Sequence, residues 1–188
     1  MKTKVCDVGI NDSPRPTSWR VEGVLFHHPA YVSWHNMINR CYSGRYKNYV
    51  GVTVCEEWKY FMGFHKWWTT NHVEGWVLDK DLRGKGSKVY SPETCIYIPL
   101  WLNSHIIKRK GKHSQGVTYD KRLGKYKAQR VKADPRGRYI GYFKTEEAAR
   151  EAWLADVDRE ALPDLEGLDI SIQELFLKWK LSQDQQDI

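Results

Sequence analysis

Between residues 31 and 69 the bulky side chains return every three or four positions, and a chain so spaced folds as helices packed through aromatic stripes. Tyr31, Trp34, Met37, Ile38, Cys41 and Tyr42 make one stripe over residues 31–42, and Trp58, Phe61, Met62, His65 and Trp68 make a second over residues 56–69. Between them, residues 44–51 are turn-rich and residues 52–55 read as a short strand. With nine Trp and eleven Tyr in 188 residues, the chain carries too much aromatic bulk for disorder. Stripes of this kind are core rather than ligand-binding surface. Residues 1–28 hold Pro14 and Pro16 and few apolar positions in register, which predicts an extended arm.

Past residue 70 the periodicity changes. Residues 76–82 are strand-like, residues 83–88 are polar and glycine-containing, residues 89–99 are apolar and β-branched, and residues 100–110 read as a helix. A period of two then appears. Residues 116–122, 125–133 and 138–143 are strand candidates, with Leu123-Gly124 as one turn and Asp134-Pro135-Arg136-Gly137 as the next. Thr145 is placed to cap a helix opening on Glu146 and Glu147, where negative charge suits the helix dipole. Its small-residue face is Ala148, Ala149, Ala152 and Ala155 with Trp153, and Pro163 is expected to stop it. Residues 170–180 read as an amphipathic helix and residues 182–188 as a frayed tail. The expected class is α+β.

The formal charge is +7, and its placement says more than its size. Residues 105–144 carry thirteen Lys or Arg against two acids, Asp120 and Asp134; that excess of +11 within a total of +7 leaves −4 for the remainder. A concentrated cationic segment of this kind predicts a polyanionic partner. Within it Lys125, Lys127 and Gln129 alternate with Tyr126 and Ala128, so one set can pack inward while the other offers two cations and an amide. A ribbon of two or three strands fits the major groove of B-DNA, where Lys and Arg read guanine and Gln reads adenine.

No apolar run approaches the ~18 residues of a membrane span, and residues 1–10 show no signal-peptide pattern. A cytoplasmic setting is expected. Cys6, Cys41, Cys55 and Cys95 are far apart and unpaired by any C-x-x-C spacing, so reduced thiols are expected and a structural zinc site is disfavoured. His27, His28, His35, His65 and His72 show no metal-ligand spacing on a helix face.

Gly116-Val117, Gly124-Lys125-Tyr126-Lys127-Ala128, Ile140-Gly141-Tyr142-Phe143-Lys144-Thr145 and Glu147-Ala148-Ala149 with Trp153 together resemble the AP2 DNA-binding domain of plants, phages and mobile endonucleases. The resemblance implies three antiparallel strands on one helix, with the open face in the major groove. It puts Thr118, Arg122, Lys125, Lys127, Gln129 and Tyr139 at or near DNA contacts; Lys108, Arg109, Lys110, Lys112, Arg136 and Arg138 add cations for the backbone. Thr118 and Asp120 stand where plant domains carry arginines, and Arg130 where a core aliphatic is expected.

Leu78-Asp79-Lys80-Asp81, Ser91-Pro92-Glu93-Thr94-Cys95-Ile96-Tyr97-Ile98-Pro99 and Asn103 resemble the HNH, or His-Me finger, nucleases. His28-Pro29-Ala30-Tyr31, Trp34, Met37, Arg40-Cys41-Tyr42, Trp58, Phe61, Phe64 and Trp67 resemble the N-terminal part of phage HNH proteins that end in an AP2 module. This resemblance implies a ββα-metal unit, degenerate here. Asp79 and Asn103 match the ligands of Mg²⁺ or another divalent cation, and Thr94 matches an Asn that pins the loop. Lys80 falls where the catalytic His belongs. Three readings of Lys80 stand side by side. It neutralises phosphate while Asp81 or metal hydroxide acts as base, or His105 or His72 supplies the imidazole, or the site is inactive.

The expected organisation is an arm (1–28), an HNH-like domain with aromatic helices (29–107), a basic linker (108–114), an AP2-like domain (115–162), and a C-terminal helix and tail (163–188). The expected function is that of a DNA endonuclease, a metal-dependent hydrolase resembling phage homing enzymes, nicking or cleaving duplex DNA. The rival is an inactive DNA-binding regulator or host-interfering phage protein, and a third reading is RNA binding through stacked Tyr and basic residues. Oligomeric state is left open.

Overall fold

A computed structural model of the chain describes residues 3–84, 86–106, 112–130, 137–165 and 168–184. It divides into two compact units, residues 1–98 and 99–188.

The first aromatic stripe becomes helix α1, Pro29–Tyr42, with Trp34, Met37 and Ile38 buried. His28 caps it by accepting the Ala30 amide on Nδ1 at 3.2 Å, and Pro29 at the first helical position forfeits an N–H that would be unpaired anyway. The second stripe does not run continuously. A 3₁₀ turn, Glu57–Lys59, is separated from helix α2, Phe61–Asn71, by an extended Tyr60. The break brings the chain so close on itself that a Cβ on Gly63 would overlap the Glu57 carbonyl oxygen. Trp34, Trp58, Phe61 and Phe64 then meet as one core, and the Trp34 indole donates to the Trp58 carbonyl at 2.7 Å. That bond satisfies a polar group which burial would otherwise penalise.

In place of the arm expected over residues 1–28, the described residues form two strand hairpins, residues 3–11 and 18–27. Strands β1, Thr3–Val5, and β2, Gly9–Asn11, pair antiparallel, as do β3, Ser18–Val21, and β4, Val24–His27. The first hairpin lies on α1 because Gly9 has no side chain: a Cβ there would stand 3.0 Å from Trp34 and 3.1 Å from Ile38. Asp12 continues the tie by accepting the Met62 amide at 2.9 Å, capping α2 from outside the helix.

Strand β5, Thr53–Val54, pairs in parallel with β7, Val89–Tyr90. Strand β6, Val77–Asp79, pairs antiparallel with β8, Ile96–Ile98, bringing Asp79 opposite Ile96. The apolar run expected over residues 89–99 is thus two strands in different sheets. The polar stretch after β6 opens as a single turn, α3, Asp81–Gly84. Thr94 holds the intervening bend: its hydroxyl donates to the Val89 carbonyl at 2.7 Å and accepts the Ser91 amide at 3.1 Å.

The second unit opens on α4, Leu100–Ile106. Strands β9, Val117–Asp120, β10, Lys125–Gln129, and β11, Tyr139–Phe143, form an antiparallel sheet with β10 in the middle. Helix α5, Glu146–Leu165, packs on all three strands, burying Ala149, Trp153 and Val157 along with Ala128 and Val117 of the sheet. Thr145 caps α5 by accepting the Ala148 amide at 3.2 Å. Gly116, at φ +83°, passes so close to Trp153 that any Cβ would overlap its ring. Pro163 lies two residues before the end of α5 rather than at its stop; without an N–H it cannot donate to the carbonyl four residues back, and the helix ends within one turn of it. Helix α6 is Ile170–Asp184, longer than expected, with Ile172 and Phe176 buried. Among the described residues the class is mixed α+β, with six α-helices and small sheets.

Candidate nucleic-acid interface

Residues directly opposite one another in an antiparallel pair share a face. Val117↔Ala128↔Gly141 and Tyr119↔Tyr126↔Phe143 therefore share one face of the sheet, the one α5 covers at the fully buried Ala128. Thr118↔Lys127↔Tyr142 and Asp120↔Lys125 share the other. A bulge between Ala128 and Gln129 pairs Gln129 with Tyr139 and leaves Ile140 as the extra residue. Tyr139 keeps to the open face, its ring 5.9 Å from the Lys127 ammonium and 5.7 Å from the Tyr142 ring.

Five of the residues singled out from the sequence, Thr118, Lys125, Lys127, Gln129 and Tyr139, thus stand together. Thr118, Lys125 and Tyr139 are exposed, while Lys127 and Gln129 are half-buried among their neighbours. Arg122 is exposed in the turn at residues 121–124, which is longer than the Leu123-Gly124 pair expected. Asp120 organises that turn, its Oδ1 accepting the Arg122 amide at 3.0 Å and the Leu123 amide at 3.2 Å. Its Oδ2 accepts the Tyr142 hydroxyl at 2.9 Å. The Tyr142 hydroxyl, with these amides, holds the Asp120 carboxyl below its ordinary range, and the same carboxylate pushes the Tyr142 phenol up. The acid on this face is therefore ionised, with its oxygens already engaged. Lys112 and Arg138 are exposed; Lys108, Arg109, Lys110 and Arg136 lie outside the described residues.

Two polar groups, Arg130 at a position expected to be aliphatic and Glu146 in the first turn of α5, brace the sheet. Arg130 reaches Asp156 on α5, and its Nη1 also donates to the Gly137 and Tyr139 carbonyls at 3.1 Å each. A buried Asp one helix away satisfies the guanidinium at the aliphatic position, and no local pattern in the chain signals it. Glu146 accepts the Ser114 amide at 2.6 Å and the Ser114 hydroxyl at 2.9 Å, and pairs with His113 at 2.7 Å. Burial pushes the Glu146 carboxyl up, but the bonds from Ser114 and His113 outweigh it and bring the group below its ordinary range.

In the first unit the residues at the end of β6 are put to other uses. The Asp79 carboxylate is buried and accepts the Leu82 amide at 2.7 Å, capping the α3 turn. Burial is the main cause of its raised pKa. Lys80 is buried as well; its ammonium pairs with Asp81, donates to the Ser87 carbonyl at 3.2 Å and lies 5.8 Å from the Tyr90 ring. Asp81 remains mostly exposed. His72 stacks on Trp68 at 4.2 Å. Asn103 is half-buried on α4 in the second unit, and the His105 side chain lies outside the described residues.

A divalent cation asks for ionised, open oxygens. Asp79, buried, capping a turn and shifted toward its neutral acid, does not fit that demand. Among the described residues no three His, Cys, Asp or Glu side chains converge as a metal-binding group. Burial pushes the Cys41 thiol to about 11 and that of Cys95 to about 12, and raises Cys55 as well, so none of the three is an activated thiolate. No described helix is long and apolar enough to cross a membrane.

No family model, curated protein or solved structure matches this chain.

Proposed function

We propose that the chain binds double-stranded DNA through the open face of the β9–β10–β11 sheet, laid in the major groove as the AP2 resemblance implies. The observation that carries this reading is the strand register, which gathers Thr118, Lys125, Lys127, Gln129 and Tyr139 on the face that α5 does not cover. Lys127 and Gln129, held among Tyr139 and Tyr142, are the base-reading pair, a cation for guanine and an amide for adenine. Lys125 with Arg122, Lys112 and Arg138 around it suits phosphates, which position a reader without specifying sequence.

The test is anisotropy of labelled duplexes over a salt series. Affinity should fall with salt on a log–log plot by about one unit of slope for each phosphate-contacting cation, and Lys125→Ala should lower that slope by about one. A single-stranded RNA competitor that displaces duplex DNA more strongly than unlabelled duplex does would favour stacking on single strands instead.

Cleavage is a second reading. It is favoured by the antiparallel β6–β8 pair followed in the chain by α4, the strand–loop–strand–helix order of the nucleases that the sequence resembles. The capping role of Asp79 and the engaged ammonium of Lys80 favour a DNA-binding protein without catalysis. Supercoiled plasmid with Mg²⁺ or Mn²⁺ separates the two. Relaxation by wild type, abolished in Asp79→Ala and Asn103→Ala, supports the nuclease, and retained binding without relaxation supports the binder.

A further inference from the structure

The last turn of α1 carries a cation that the first unit leaves without an anion. Arg40 lies against two rings, its guanidinium carbon 5.6 Å from the Tyr49 centroid and 5.9 Å from that of Tyr90. Its Nε is buried and has no hydrogen-bond partner, and no ion pair joins it to an acid among the described residues. A buried donor on a charged group is costly to leave unpaired, and such a group calls for a partner. The Lys80 ammonium stands 5.8 Å from the same Tyr90 ring, but Asp81 answers it. Asp79, the other acid beside Lys80, commits its carboxylate to the Leu82 amide. Burial raises the Cys41 thiol, and Arg40 and Lys80 both pull it back, so the two cations act on one region. The charge left over there is that of Arg40.

The chain around Arg40 has the same sign. Residues 40–54 hold Arg40, Arg45 and Lys47 and no Asp or Glu. Lys47 opens a 3₁₀ turn, Lys47–Tyr49, that sets the Tyr49 ring beside Arg40. Lys88, just before β7, reaches the same loop: its ammonium passes 3.7 Å from where a Cβ on Gly51 would lie. Lys47 and Lys88 are exposed, and Tyr46, 44% exposed, meets Tyr49 edge-on at 6.1 Å. We propose that Arg40, with Lys47 and Lys88 around it, seats a phosphate group, and that a nucleic-acid strand supplies it. A guanidinium offers paired N–H donors in one plane that match two phosphate oxygens, and the Tyr49 and Tyr90 rings hold it in place. Several cations with no acid between them suit a polyanion better than a single carboxylate, and the exposed Tyr46 ring suits a neighbouring base or sugar. Neither Asp79 nor Asn103 takes part, and the seat needs nothing from the sheet of the second unit.

The experiment follows the Arg40 Nε–Hε signal of the full chain by proton–nitrogen NMR, identified by its loss in Arg40→Lys. A mixed-sequence duplex and inorganic phosphate are titrated separately at constant ionic strength, with chloride as the control. The signal should move saturably with both, and at lower concentration with the duplex. The Lys47→Gln, Lys88→Gln double variant should keep its fold, since both positions are exposed. It should need more phosphate for the same movement and should lower the log–log salt slope for duplex by about two. Indifference of both readings to that variant would overturn the place of the two lysines. Movement with phosphate but none with duplex would keep the phosphate seat and overturn the strand as its source. No movement with either, or movement equal to that in chloride, would overturn the seat itself. Phosphate should still move the signal in the Lys125→Glu, Lys127→Glu variant, so failure of the sheet as the DNA reader is told apart from failure of this site.

Discussion

The guanidinium of Arg130 grips the carboxylate of Asp156 through two hydrogen bonds, Nε to Oδ2 at 2.7 Å and Nη2 to Oδ1 at 2.6 Å. The side chains are 14% and 6% exposed, so the pair is held largely out of water. It joins the end of β10 to α5 and, through the Gly137 and Tyr139 carbonyls, fixes where β11 begins. Removing one partner strands the other as a buried charge, which costs about 3–5 kcal/mol. Asp156→Ala and Arg130→Ala should each destabilise the second unit on that scale in denaturant unfolding followed by tryptophan fluorescence. The double variant should be far less destabilised than the sum, since the second substitution removes the stranded charge.

Gly116 should tolerate no side chain. Its φ of +83° and its approach to Trp153 both oppose a Cβ, so Gly116→Ala should cost about 2 kcal/mol or more. Near-ultraviolet circular dichroism would register the displaced Trp153, and an unchanged spectrum with unchanged stability would contradict the packing described.

The depressed carboxyl of Glu146 gives the second unit an acid-sensitive tie. A folded-state pKa below the unfolded value contributes stability that is present above the unfolded carboxylate range, ~4.3, and is lost as pH falls through the depressed value. Glu146→Gln should therefore flatten the decline of stability below that range, read as the melting temperature against pH.

Asp79 carries the opposite sign. Its raised pKa means that the folded chain holds the proton to higher pH than the unfolded chain does, so ionisation weighs against the fold as pH rises from ~4 through the folded value. Asp79→Asn keeps an acceptor for the Leu82 amide and removes the buried charge. It should be neutral or mildly stabilising at pH 7, whereas Asp79→Ala loses the cap and should cost about 1 kcal/mol. Thermal melts of the two variants make the comparison, and a strongly destabilised Asp79→Asn would contradict the capping role.

Periodicity carried the reading wherever an element was long and packed on one side. The stripe from Tyr31 to Tyr42 lies within α1, and the alternation of Lys125, Lys127 and Gln129 is the open face of β10. Short or non-local features left little trace. Thr53–Val54 and Val89–Tyr90 are two residues each and find one another across more than thirty positions, which no local pattern encodes. The β3–β4 turn is Glu22-Gly23 rather than the Asn-Gly or Asp-Gly that signals a hairpin, and prolines nearby pointed to an arm. Tyr60 breaks a helical stripe whose spacing continues across it, because the break is set by the close passage of Gly63 over Glu57. At the end of β6 the residue types were legible but their duties were not. A carboxylate that caps a turn and one that binds a metal look the same in a sequence.

The central claim is that the uncovered face of the β9–β10–β11 sheet holds duplex DNA. The most direct measurement is the affinity of the full chain for mixed-sequence duplexes at fixed salt, wild type against the charge-reversed Lys125→Glu, Lys127→Glu double variant. Both positions lie on the open face, so the fold should survive, and affinity should fall by at least tenfold. Unchanged affinity in a natively folded double variant would contradict the claim.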